Sequence, residues 1–144
     1  MMKKPLLLFA LTLILSLTSG CISQQRSEYS PGVNLASLKK IYVVHLPADG
    51  RRIDRLLADR LSLMGHQATY GDKSQTPADA QAILTYQDKW MWDITMYMIE
   101  LHVQIRDPKS EVALATGHSL RTSLVRKSPP AMVEEVLTDL FKKQ

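Results

Sequence analysis

Apolar and polar residues alternate along Met96 to Asp107, where Tyr97, Ile99, Leu101, Val103 and Ile105 oppose Glu100, His102, Gln104 and Arg106. A period of two belongs to a strand with one face buried and one face in water, so the pattern predicts an antiparallel strand. The same period over Ala82 to Asp93 sets Leu84, Tyr86, Trp90 and Trp92 on one side, with Thr85, Gln87 and Lys89 on the other. Asp93-Ile94-Thr95 is the bend between these two strands. Asp107-Pro108-Lys109-Ser110 is a turn leading to a third strand, Val112 to Thr122, because proline presets its own φ and the flanking polar groups close the reversal. Gly117 is read as the mark of a bulge in that strand.

Two other periods occur. Lys40-Ile41-Tyr42-Val43-Val44-His45-Leu46 is apolar on both sides and closed by Pro47, the pattern of a strand inside a sheet. From Gly50 to Met64 the apolar residues Ile53, Leu56, Leu57, Leu61 and Met64 recur at helical spacing, with Asp49 as N-cap and Gly65 as the left-handed stop. Gln67 to Tyr70 reads as a short strand, and Thr76-Pro77-Ala78-Asp79 as a one-turn helix start with Asp79 in the capping-box position. Ser128-Pro129-Pro130 opens a last helix with the stripe Met132, Val133, Val136, Leu137, Leu140 and Phe141. The order β-α-β-β-β-β-α implies an α/β (α+β) fold: a two-layer sandwich whose mixed, mostly antiparallel sheet carries two helices on one face.

The N-terminus follows a different plan. Lys3 and Lys4 precede an apolar run from Pro5 to Leu17, and Thr18-Ser19-Gly20 are small residues before Cys21, as in a secretory signal. The run is too short for the roughly 18 residues a membrane-spanning helix needs. Leu17-Thr18-Ser19-Gly20-Cys21 resembles the bacterial lipobox, with Leu one place further from Cys than usual. Cys21 is the single cysteine, and an unpaired exported thiol is a liability unless it is modified. Residues 1–20 are therefore expected to be a signal peptide, 21–38 a lipidated cysteine and flexible tether, and 39–144 a periplasmic domain. Ile22 stands where lipoproteins retained in the inner membrane carry Asp, which favours the outer membrane. The segment from Ile22 to about Asn34 holds too little apolar surface to order itself.

Without its first 20 residues the chain keeps sixteen Lys and Arg against fourteen acids, a formal charge of +2. Nucleic acid is an improbable partner for so nearly neutral an exported domain. Clusters at Lys39-Lys40, Arg51-Arg52 with Arg55, Arg126-Lys127 and Lys142-Lys143 are solvated faces or contacts for anionic headgroups.

Catalytic readings do not survive inspection. His45, His66, His102 and His118 lie in four different elements and lack the spacing that puts two imidazoles on one helix face, so no metal site is expected. Gly117-His118-Ser119-Leu120-Arg121 lacks the second glycine and the strand-to-helix turn of a nucleophile elbow. Asp88 and Asp93 are five apart and point to opposite strand faces, where they could not act as a pair. No phosphate loop is present in the sequence, and no cofactor or enzyme activity is expected. Trp90 and Trp92, with Asp88 on the same side by parity, are either core beneath a helix or an aromatic partner surface.

The lipobox-like start, the Ile41 to Leu46 strand, the helix ending at Gly65, and Ala80-Gln81-Ala82-Ile83-Leu84-Thr85-Tyr86 ahead of a long hairpin resemble small uncharacterised proteobacterial lipoproteins. The arrangement from about Lys39 to Lys143 is also similar to the domain shared by the TolB N-terminal region, CsgG and the lipoprotein activators of peptidoglycan synthases. That resemblance implies a non-catalytic module held by its lipid in the outer membrane and contacting an envelope protein. A carrier or sensor for a lipid or glycan is the alternative, which a deep apolar pocket would favour.

Cys21→Ala is expected to shift the protein from the membrane to the soluble envelope fraction, because acyl chains contribute about 0.8 kcal/mol per buried methylene. Unchanged fractionation would show that Cys21 carries no anchor.

Overall fold

The computed structural model describes residues 23–142, so Cys21 and the stretch read as a signal peptide lie outside the described residues. Six strands form one sheet: β1 (Ser23–Tyr29), β2 (Lys40–Val44), β3 (Gln67–Gly71), β4 (Ala82–Asp93), β5 (Thr95–Arg106) and β6 (Ala113–Arg121). Two α-helices accompany them, α1 (Ile53–Leu63) and α2 (Pro129–Leu140). The spatial order is β1-β6-β5-β4-β2-β3. β2 runs parallel to β3 and β4, and the other neighbours are antiparallel.

Ile53, Leu57 and Leu61 of α1 join Val133, Val136 and Leu140 of α2 in one apolar core with Ile41, Leu84, Leu101 and Ile105 of the sheet. Both helices therefore cover the same sheet face, as the order of elements implies. β2 is interior to the sheet, which explains its apolar residues on both sides. Ile41 and Val43 enter the core, while Tyr42, on the other face, is also buried and donates to the Asp72 carbonyl at 2.9 Å.

Four expectations are corrected. The segment read as an unordered tether contains β1, paired with β6 from Ser23 opposite Arg121 to Tyr29 opposite Ala115. Its order comes mainly from hydrogen bonds, with Tyr29 alone packed against the core. The Tyr29 hydroxyl donates to the last-turn carbonyls of Asp139 and Leu140 in α2, at 3.2 and 3.0 Å. Ser27 donates to the Asp139 carboxylate at 2.6 Å, and the Gln25 amide to the Glu135 carbonyl at 3.0 Å. Residues 25, 27 and 29 thus bind the helix face through polar groups, a pattern that hydropathy does not register.

Helix α1 begins at Ile53, not Gly50, because Arg52 takes a left-handed conformation (φ +59°). Asp49 still supplies the cap. Its carboxylate accepts from the N–H groups of Arg51, Ile53 and Asp54 and from the Tyr86 hydroxyl. No helix starts at Thr76; a short 3-10 turn, Lys73–Gln75, precedes it, and Asp79 pairs instead with Lys40. Gly117 lies in regular register opposite Ser27 and Val103. It packs closely against α2: a Cβ there would meet Val136 Cγ2 at 3.0 Å, tighter than an ordinary contact.

Gly117→Val should therefore cost about 1–3 kcal/mol through overpacking, read from the urea midpoint; an unchanged midpoint would show that α2 yields freely. Asp49→Asn should cost about 1–3 kcal/mol at pH 7. Burial opposes the Asp49 charge, but the Tyr86 hydroxyl and the three N–H donors outweigh it and hold the carboxyl below its ordinary 3.8. This contribution is complete above 3.8 and fades as the pH falls through the lower folded value. The stability gap between wild type and Asp49→Asn should accordingly narrow only in strong acid; a gap that closes between pH 7 and 5 would contradict the assignment.

Candidate functional site

Strands β4 and β5 form a hairpin that turns at Ile94, a β-branched residue in the left-handed region (φ +62°). Such a conformation is disfavoured for branched side chains, so the turn is held by its surroundings. Arg126, in the connection between β6 and α2, donates to the Asp93 carboxylate at 2.8 Å, the Asp93 carbonyl at 3.2 Å and the Thr95 hydroxyl at 3.1 Å. Its guanidinium also lies 4.1 Å from the centroid of the Tyr97 ring.

The tip held this way is apolar and exposed. Trp92 is 69 % exposed and Ile94 87 %, with Met91 and Met96 beside them also exposed. Leu124, two residues before the clamping Arg126, is exposed as well. The two tryptophans thus divide. Trp90 packs against the core, its indole N–H bonded to the Asp88 carboxylate, with the Arg51 guanidinium 4.1 Å from its ring centroid. Trp92 reaches into solvent, while Asp88 and Trp90 form the base on which it stands.

The hairpin departs from regular pairing at its middle. Lys89 faces Glu100 but Trp90 faces Met98, leaving Ile99 as an extra residue. This bulge shifts which β5 side chains enter the core: Met98 is fully buried, as are Leu101, Val103 and Ile105. Bulges of this kind bend and twist a strand; beyond it Met98 and Tyr97 remain buried, and exposure begins at Met91 and Met96.

The sheet face opposite the helices is polar. Cross-strand register aligns Arg26, His118, His102 and Gln87 as one row over β1, β6, β5 and β4. A parallel row holds Glu28, Thr116, Gln104 and Thr85. Two open depressions of about 630 and 570 Å³ run along this face and share Gln87 and His102. His118 Nε2 lies 2.8 Å from a Glu100 carboxylate oxygen. His102 stands edge-on to His118, with ring centroids 6.0 Å apart. Burial, helped by His118 and opposed by Glu100, holds the His102 imidazole below its ordinary pKa, which keeps it neutral at pH 7.

Among the described residues one group has metal-ligand composition: His45, Asp49 and Asp54, whose ligand atoms lie within 4.8 Å of one another. Protein donors occupy it. Asp49 caps α1, and Asp54 accepts from Arg52 at 3.2 Å and from the Arg55 N–H at 2.7 Å while lying 2.9 Å from His45 Nδ1. These bonds make the cluster the joint between β2 and α1. Of the other histidines, His66 Nδ1 lies 2.8 Å from the Leu38 carbonyl.

The sequence pointed to Trp92 but missed Met91, Ile94 and Met96 as its companions. A signal was present at Ile94, since turns favour Gly, Asn, Asp or Pro and a branched apolar residue at a bend is out of place there. The meeting of His102 with His118 depends on the register of two strands and had no local signal.

No family model matches the sequence, and no curated protein does. The fold is similar to that of a PelC dodecamer from Paraburkholderia phytofirmans, with a TM-score of 0.64 at 16 % identity, covering 85 % of this chain and 100 % of that one. A DUF4136 family protein from Bacteroides thetaiotaomicron matches at a TM-score of 0.48 and 11 % identity, over 81 % of this chain and 92 % of that one. TolB from Acinetobacter baumannii matches at 0.44 and 18 % identity, over 82 % of this chain but 31 % of TolB. The PelC likeness places this chain in the same mixed α/β architecture.

Proposed function

We propose that the protein is a lipoprotein of the bacterial outer membrane, anchored through Cys21 and facing the periplasm, that binds an envelope protein and performs no chemistry. The observation that carries this reading is the uncovered sheet face. Four strands held rigid by the helices behind them present in-register rows of hydrogen-bonding side chains, Arg26-His118-His102-Gln87 and Glu28-Thr116-Gln104-Thr85. A flat polar array on a stiff sheet suits recognition of another folded surface, where polar contacts set register and specificity.

The titratable groups on and around this face support a binding role over a catalytic one. His118 is engaged with Glu100, and Asp49 with Tyr86 and the α1 amides. Burial and the bond to Asp49 push the Tyr86 phenol far above its ordinary pKa, so it serves as a hydrogen-bond donor rather than a base. The PelC structure is a dodecamer, and a second copy of this chain is one form the partner could take.

The glycan reading keeps one supporting observation, the continuity of the two open depressions across Gln87 and His102. Their walls carry hydrogen-bonding side chains that suit a hydroxyl-rich polymer, and both are open, whereas an acyl chain would need an enclosed apolar pocket.

A photo-crosslinking residue placed at Thr116 or Gln87 in the full-length protein in cells should capture one defined protein, this chain included, while the same probe at Asp59 on α1 should not. Equal capture from Asp59, or capture of glycan alone from Thr116, would remove the protein-partner assignment from the sheet face.

A further inference from the structure

The exposed apolar hairpin tip lies at the same end of the sheet as the start of β1. Ser23 pairs with Arg121, and the neighbouring Leu120 pairs with Glu100. The beginning of β1 is therefore level with residue 99 of β5. From there the hairpin runs on to Ile94, five residues further, about 16 Å at the usual strand rise. Cys21 precedes Ser23 by two residues, a reach of at most about 7 Å. The tip thus extends roughly 10 Å beyond the furthest point along the strand direction that Cys21 attains.

We infer that the β4–β5 hairpin tip is a second membrane contact, inserted into the same leaflet that holds the lipid on Cys21. This inference rests on the lipoprotein reading. Its occupant is the lipid surface, for three reasons. First, the overhang of roughly 10 Å matches the depth to which interfacial segments bury their apolar side chains, about 5–10 Å. Second, the exposed residues suit that depth: Trp92, Ile94, Met91 and Met96 are apolar or interfacial, and the charges at the turn, Asp93 and Arg126, neutralise each other.

Third, the cations behind the tip suit a headgroup layer. α1 starts at this end, as the contact of Arg51 with Trp90 shows, and Arg51, Arg52 and Arg55 are exposed there. The carboxylates among them are engaged: Asp49 and Asp54 are buried in the α1 cap, Asp88 accepts from Trp90, and Asp59 pairs with Arg55. Lys127 pairs with Glu135, which also holds Arg121. Arg52 is paired with Asp54 and Arg55 with Asp59, so among the described residues Arg51, lying over Trp90, is the one of the three without a carboxylate partner and supplies a single exposed cation to a headgroup layer. The same geometry stands the sheet on the membrane and leaves its polar face turned to the periplasm.

The test uses the full processed protein purified from cell membranes and reconstituted into vesicles of phosphatidylcholine and phosphatidylglycerol with brominated acyl chains. Intact mass reports whether Cys21 carries its acyl chains. Tryptophan emission should be quenched by bromine near the headgroup end of the chains, and Trp92→Phe should abolish the quenching while Trp90 remains unquenched. An acylated protein with unquenched Trp92 overturns the inference and leaves the anchor intact. An unacylated protein overturns the anchor; the tip is then judged by binding of that protein to the same vesicles, which Ile94→Asp should lower by about tenfold or more. Binding unchanged by Ile94→Asp, or Trp92 crosslinked to a protein in intact envelopes while unquenched in vesicles, assigns the tip away from lipid.

Discussion

The central constraint is a mismatch of length between the hairpin and the helices that cover it. A strand of twelve residues such as β4 or β5 spans roughly 40 Å, whereas the eleven and twelve residues of α1 and α2 span only about 18 Å. The helices bury the half of the hairpin that carries Leu84, Tyr86, Leu101, Val103 and Ile105. The residues from Met91 to Met96 overhang, beyond the buried Met98 and Tyr97.

The overhang is stabilised by arginines in place of a helix. Arg51 stacks on Trp90 from one side, and Arg126 ties the turn from the other while lying over Tyr97. A guanidinium suits this task because its planar face covers an aromatic ring while its edge donates to carbonyls and carboxylates. Arg51 is positioned by the Asp49 cap, through its N–H, and Asp49 is positioned by Tyr86 in β4. The helix start, the interior of the sheet and the base of the tip are therefore one connected unit. The apolar tip at one end and the polar face along one side are separate surfaces on the same frame.

Most of the elements are legible from periodicity. The alternation in β4 and β5, the helical stripe of α2 and the two-sided apolar run of β2 each arise from burial, and burial leaves its period in the sequence. Failures occur where another force acts. β1 is polar on both faces because its contribution is backbone pairing and bonds from Gln25, Ser27 and Tyr29 to α2. Residues 50–52 fit the helical stripe, yet the Asp49 carboxylate draws the first amides of α1 toward itself and Arg52 leaves the helical region. Gly117 looks like a bulge, but what excludes a side chain is a helix distant in sequence.

The fold class, the two helices on one face and the long hairpin are legible in the sequence alone, since each follows from local period. Only the tertiary structure decided that Trp90 is framework and Trp92 surface, because both share a strand face and differ only in how far the helices reach along it. It also decided that His102 meets His118, that residues 23–29 form an edge strand of the sheet, and that the start of β1 and the apolar tip share one end. These are matters of register and relative length between segments far apart in the chain, and no local pattern of residues encodes them.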